Sequence, residues 1–189
     1  MKSKENPDKI LKKYKQYLQL EKSLSPNTVH AYLADVNKLF QFLAEEKIHP
    51  YDATLENLET FSASLRDVGI QARSQARILS GIRSFYHYLI MEDFLESDPS
   101  ELLESPQIGL HLPEVLTIEE IDTLIGTIDL SSNEGQRNRT ILETLYSCGL
   151  RVSELCHLKI SDLYLDEGFI KVEGKGSKQR LVLVGCIWQ

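Results

Sequence analysis

Cysteine is scarce in this sequence. The three residues, Cys148, Cys156 and Cys186, form no Cys-x-x-Cys motif and their number is odd. That argues against a disulfide framework or a thiolate zinc site, and it fits a reducing compartment. Long apolar runs are missing too. No stretch of about 18 apolar residues occurs, so no membrane-spanning helix and no membrane partner are expected. The opening MKSKENPDK is charged with no apolar segment behind it, unlike a secretory signal. A cytoplasmic protein is the expectation. The phosphate-cradling pattern G-x-x-x-x-G-K-[ST] is also absent.

Basic charge is in deficit overall. The net charge of −7 speaks mildly against nucleic acid as a partner, because backbone binding needs lysine and arginine to neutralise phosphates. The distribution qualifies this. Residues 1–22 carry seven lysines against three acids, and residues 171–180 carry four cations against one acid. Acids gather instead in segments such as 92–104.

What is present is helical periodicity. Ile10, Tyr14, Tyr17 and Leu18 share one stripe of a helix over about 8–21. Ser25 followed by Pro26 reads as a cap and first helical residue, opening a second helix to about residue 46 that carries Val29, Tyr32, Leu33, Val36, Phe40 and Leu43. A third helix over 54–68 places Leu55, Leu58, Phe61 and Leu65 inward and stops at Gly69. A fourth over 71–92 buries Leu79, Ile82, Tyr86 and Leu89. Four such stripes joined by short loops imply a compact bundle over residues 1–92.

Residues 93–116 break the period with Asp98-Pro99, Ser105-Pro106, Gly109 and Pro113, and are expected to form a linker. Thr117 and Glu120 have capping-box spacing and open a new helix. A further helix over 135–148 stops at Gly149, and a short one follows near 153–158. Residues 169–173 and 180–184 read as two β strands around the 174–179 turn. Cys148 and Cys156 are expected as small apolar core residues.

Two stretches hold the candidate chemistry. Arg151 lies between the Gly149 stop and the next helix, where backbone can hold its guanidinium toward an oxyanion, and Glu154 stands three residues on to brace it. Lys175 sits between two glycines at a hairpin tip. Taken singly, an arginine placed like Arg151 is more often a capping or salt-bridge residue, and a Gly-Lys-Gly turn more often a plain solvated loop. Together, one cation that stabilises a phosphate and another that donates a proton suit phosphoryl transfer. On the fourth helix Arg73, Arg77, Ser80, Ser84 and His87 follow at spacings of four, three, four and three, giving one face suited either to solvent or to a DNA backbone.

The sequences TILETLYSCGLRVSEL (140–155), LKISD (158–162) and GKGSKQR (174–180) resemble the first half of the catalytic domain of Xer-type tyrosine recombinases and their phage-integrase relatives. LSPNT (24–28) with Tyr32, and RILSGIRSFYHYL (77–89), resemble that family's core-binding domain, and LPEVLT (112–117) the start of its catalytic domain. The resemblance runs over about residues 10–183. It implies a mainly α protein: a four-helix, SAM-like core-binding bundle (1–92), a linker (93–116) and an incomplete α+β catalytic portion with a β hairpin (117–189).

It also implies a reaction without metal or cofactor, in which a tyrosine forms a 3′-phosphotyrosyl bond. Arg151 matches the first catalytic arginine, Lys175 the hairpin lysine, and Glu154 a supporting acid. Arg73, Arg77, Ser84, His87, Lys178 and Arg180 are the expected DNA contacts. The implied partners are a duplex recombination site and other protomers, as a tetramer on paired sites. The family's His-x-x-Arg is absent from all five histidines, and none of the eight tyrosines stands in the nucleophile's context. The expectation is therefore a DNA-binding chain inactive by itself, with a catalysis-free DNA-binding regulator or a helical interaction adaptor as the alternatives.

Overall fold

The structure is a computed structural model that describes residues 6–109, 112–174, 176 and 178–184. The chain divides into two compact units, residues 1–111 and 112–189, each with its own core.

In the first unit, α1 (Pro7–Leu20), α2 (Pro26–Glu45), α3 (Leu55–Asp67) and α4 (Ala72–Met91) form the bundle. Each begins where local chemistry allows. Asn6 caps α1 ahead of a proline at the first turn, and Ser25 caps α2 by accepting from the Thr28 N–H at 3.3 Å. Thr54 and Asn57 form a reciprocal capping box at α3, a signal the sequence reading passed over. The apolar stripes meet in one cluster in which Tyr14, Leu39, Leu43, Leu58, Ile82 and Leu89 are wholly buried. Tyr14 anchors an aromatic group, with its ring 5.3 Å from Phe85 edge-on and 5.4 Å from Tyr88. Its hydroxyl donates to Ser84 Oγ at 3.0 Å, and that of Tyr86 donates to the Pro50 carbonyl at 3.2 Å. Burial pushes both phenols above the ordinary tyrosine range, so they remain neutral donors.

The closest helix pairing, α2 against α4, depends on one buried charge. Asp35 is fully buried, and its carboxylate accepts from both Nη atoms of Arg77, at 2.5 and 3.0 Å. Gly81, one turn further along α4, makes room for it: a Cβ there would lie 3.2 Å from Asp35 Cβ. Arg77, expected among the DNA contacts, therefore has its fork engaged by the carboxylate of the neighbouring helix while its side chain stays half-exposed.

The first part of the expected linker packs against the bundle. Phe94 and Leu103 are buried in the bundle core, and Arg83 straps the segment down through Ser105 Oγ at 2.9 Å and the Leu103 carbonyl. Irregular sequence had hidden two apolar anchors set too far apart to show a period.

In the second unit, α5 (Ile118–Gly126), α6 (Asn133–Cys148) and α7 (Val152–Cys156) precede a three-stranded antiparallel sheet in the order β1 (Leu163–Tyr164), β2 (Phe169–Glu173), β3 (Gln179–Leu183). The expected hairpin is β2–β3; the two-residue β1 was too short to show alternation. Thr117 and Glu120 form the capping box anticipated for α5. The core is small, with Cys148, Leu150, Ile170 and Val172 buried and no residue of α5 buried. Cys156 is exposed, contrary to the expectation of a core cysteine, because it closes the short α7 on its outer side. Among the described residues no helix is long and apolar enough to cross a membrane.

Arg77→Ala would strip the fork from a buried carboxylate. Such losses run to about 3–5 kcal/mol, and the half-exposed guanidinium and Lys38 at 3.8 Å place this one near the lower end. Chemical denaturation is expected to show a loss of roughly 3 kcal/mol. An unshifted midpoint would mean that solvent or Lys38 satisfies Asp35.

Candidate functional site

The site is built where α6 hands over to α7. Gly149 ends α6 in the left-handed conformation, φ 58°, which turns the chain sharply and costs glycine little. Leu150 then anchors the turn in the small core at 8% exposure. Arg151 follows in extended conformation as the N-cap of α7. Ordinarily a serine or aspartate would occupy that position. Here Glu154, three residues on, reaches back and accepts from the Arg151 backbone N–H at 2.8 Å.

The same carboxylate takes three more donors. Its Oε1 accepts from Arg151 Nη1 at 2.8 Å and from Arg180 Nη1 at 2.7 Å, and its Oε2 accepts from Arg180 Nη2 at 2.9 Å. Four donors fill the accepting positions of one carboxylate whose side chain is 3% exposed. The Arg180 fork, then the Arg151 N–H, holds Glu154 well below the usual carboxylate range. Arg151 itself is fixed at one edge of its guanidinium, while its side chain stays 69% exposed.

Strand register explains why Arg180 is there. It pairs with Val172 across β2–β3, and directly opposed residues of an antiparallel pair share a face. Val172 points into the core, so Arg180 points inward as well, toward Glu154, and not out along the hairpin. Arg180, expected as a DNA contact, is 40% exposed and turns its fork to Glu154, a placement set by strand register, which the sequence does not show. Gly174 closes the arrangement. Its N–H donates to the Lys178 carbonyl at 2.7 Å, and a Cβ would stand 3.2 Å from Glu154 Oε1 and 3.3 Å from Arg180 Nη1.

Of the remaining expected residues, Lys175 lies outside the described residues. Lys178 is exposed beside the hairpin turn. On α4, Arg73, Ser80 and His87 are exposed, Arg77 is engaged with Asp35, and Ser84 is half-buried with Tyr14 donating to it. Lys171, not singled out from the sequence, pairs with Asp162 at 2.8 Å and ties β2 to the turn before β1. Among the described residues no group of three or more His, Cys, Asp or Glu is placed to hold a metal. An apolar hollow of about 200 Å³ lined by Thr144, Leu158 and Ile170 lies within the same unit, but it offers no charged group.

Comparison with known proteins identifies the family and the fold. Residues 11–93 match the phage integrase N-terminal SAM-like domain, and residues 114–186 match the phage integrase family. Tyrosine recombinase XerD of Staphylococcus haemolyticus (strain JCSC1435) is 42% identical over 177 residues, covering 93% of this chain and 60% of that protein. XerD of Staphylococcus saprophyticus is 41% identical over 179 residues, covering 94% and 61%. Among solved structures, a lambda integrase dimer bound to a COC′ core site superposes with a TM-score of 0.75 at 19% identity, covering 94% of this chain and 48% of that one. A lambda integrase tetramer bound to a Holliday junction gives 0.74 at 19% identity, covering 93% and 50%. These two carry the fold. The chain belongs to the phage integrase family of tyrosine recombinases. It spans about 60% of the length of the curated relatives it matches.

Glu154 makes the second unit sensitive to acid. Its folded carboxyl titrates below the ordinary value of 4.5, so the unfolded chain binds the proton more readily. The stabilisation is complete above that ordinary value and disappears as pH falls from there through the depressed folded one. Glu154→Gln is expected to lower stability at pH 7 and to flatten this acid limb. An acid limb identical to that of the unmodified chain would show that Glu154 is not held by the two arginines.

Proposed function

We propose that this chain supplies the duplex-binding bundle and the phosphate-holding front of the catalytic domain for site-specific DNA recombination. The observation that carries this reading is one buried carboxylate bracing two guanidiniums while Arg151 stays open to solvent, in a segment aligned with tyrosine recombinases. A guanidinium fixed at its root and open at its tip is prepared to meet the non-bridging oxygens of a phosphate without reorganising.

In this reading Arg151 neutralises charge developing on the scissile phosphate, and Glu154 sets its direction. Lys175 donates a proton to the departing 5′ oxygen. The nucleophilic tyrosine and the His-x-x-Arg do not occur among these 189 residues, so the chain by itself binds and does not cut. Arg73, Ser80 and His87 on α4, with Lys178 at the hairpin, meet the DNA backbone. Duplex DNA and further protomers are the partners, as in the lambda integrase assemblies on a core site and a Holliday junction.

The chain is expected to bind duplex DNA with an affinity that falls as salt rises. Arg73→Glu combined with Lys178→Glu should weaken binding and lower the salt slope. Arg77 is left intact, since its reversal would unsettle Asp35. Binding unaffected by that pair of changes would remove both residues from the interface. On a nicked suicide substrate the chain should leave no protein–DNA band on a denaturing gel, and a surviving band would overturn the placement of the nucleophile outside it.

In a full-length recombinase carrying this segment, Arg151→Ala should cost about 2.7–4 kcal/mol of transition-state stabilisation. A 5′-bridging sulfur should rescue Lys175→Ala but not Arg151→Ala, because a thiolate leaves without a proton. Equal rescue of both would erase the distinction between the two roles.

A further inference from the structure

We infer that Arg180 is a positioning residue of the phosphate site, acting through Glu154 to orient Arg151 and to leave its charge available; this rests on the recombinase reading above. Three observations support it. Arg180 spends both Nη atoms on Glu154, at 2.7 and 2.9 Å, from a strand position that register turns inward. Glu154 in turn grips Arg151 at two points, its backbone N–H and its Nη1. Gly174, the residue before Lys175, is packed so closely on this pair that a methyl group would crowd both charged atoms.

Glu154 with Arg151 alone would be a neutral pair, and a carboxylate beside the arginine would oppose an incoming phosphate. Adding Arg180 brings the cluster to a net charge of +1. The Arg180 fork takes both carboxylate oxygens, so the positive charge left over is that of the exposed member, Arg151. Arg180 is itself 40% exposed, but both Nη atoms face the carboxylate, which disfavours a separate phosphate contact from the same fork. The device also ties two distant parts of the unit to one group. The α6–α7 turn, which carries Arg151, and the root of the β2–β3 hairpin both take their position from the Glu154 carboxylate.

The test uses the 189-residue chain with its arginine side chains observed by nitrogen-edited NMR, comparing Arg180→Lys and Arg180→Gln with the unmodified protein. In the unmodified chain, the Arg151 guanidinium should show slowed rotation and signals resolved from the other arginines. Arg180→Gln should return them to the averaged, solvent-like position and raise the Glu154 titration toward its ordinary value of 4.5. Arg180→Lys keeps the charge but not the fork. It should retain the low Glu154 titration and broaden the Arg151 signals without abolishing them, which keeps the test decisive if the glutamine variant unfolds the second unit.

Duplex binding by the same three proteins provides the second arm, with a several-fold loss expected for Arg180→Gln. A loss of binding with Arg151 signals unmoved would make Arg180 a direct phosphate contact and overturn the proposal. So would unchanged Arg151 signals in both variants. If no form binds duplex DNA, the recombinase reading fails, while the NMR result still decides whether Arg180 positions Arg151.

Discussion

Glu154 is three residues from Arg151 in sequence and 26 from Arg180, and its carboxylate satisfies a donor from each. The placement of the Arg151 guanidinium follows from this contact. Leu150 anchors the turn after α6 in the small core, but the long arginine side chain carried on that turn keeps rotamer freedom of its own. A carboxylate with every accepting position filled removes that freedom. It remains charged because two guanidiniums and a backbone N–H stabilise it more than burial penalises it.

The bundle solves a related problem by similar means. Asp35 is wholly buried and is matched by an arginine fork from a different helix, with Gly81 leaving space for the approach. In both units, then, a carboxylate that would be costly alone becomes a fastener between elements distant in sequence. The two differ in outcome. Arg77 is the direct partner of its carboxylate, with its fork committed to packing α2 on α4. At Glu154 a second arginine shares the carboxylate, and the surplus charge stays with the exposed member.

The acidic balance of the whole chain is compatible with this. Phosphate contact depends on local potential and on which groups are held at the surface, so a net charge of −7 coexists with a cationic α4 face, a basic amino-terminal sequence and a basic hairpin. Residues 1–5 and Lys175 add to this only as sequence, since they lie outside the described residues.

Local order was legible in the sequence by itself. Apolar spacing located the bundle helices, Ser25 and Thr117 marked two helix starts, Gly149 marked a stop, and the stretch from Thr140 to Leu155 disclosed the family. These are short-range properties, decided by periods of a few residues and by the hydrogen-bonding habits of single side chains. Tertiary structure alone decided the pairings. Asp35 meets Arg77 across 42 residues, Tyr14 meets Ser84 across 70, and Phe94 and Leu103 return to a bundle that their surroundings gave no periodic reason to join. Arg180 illustrates the difference most directly. Its place on a strand could be read, but its face depended on pairing with Val172, and that register set which charge it would meet.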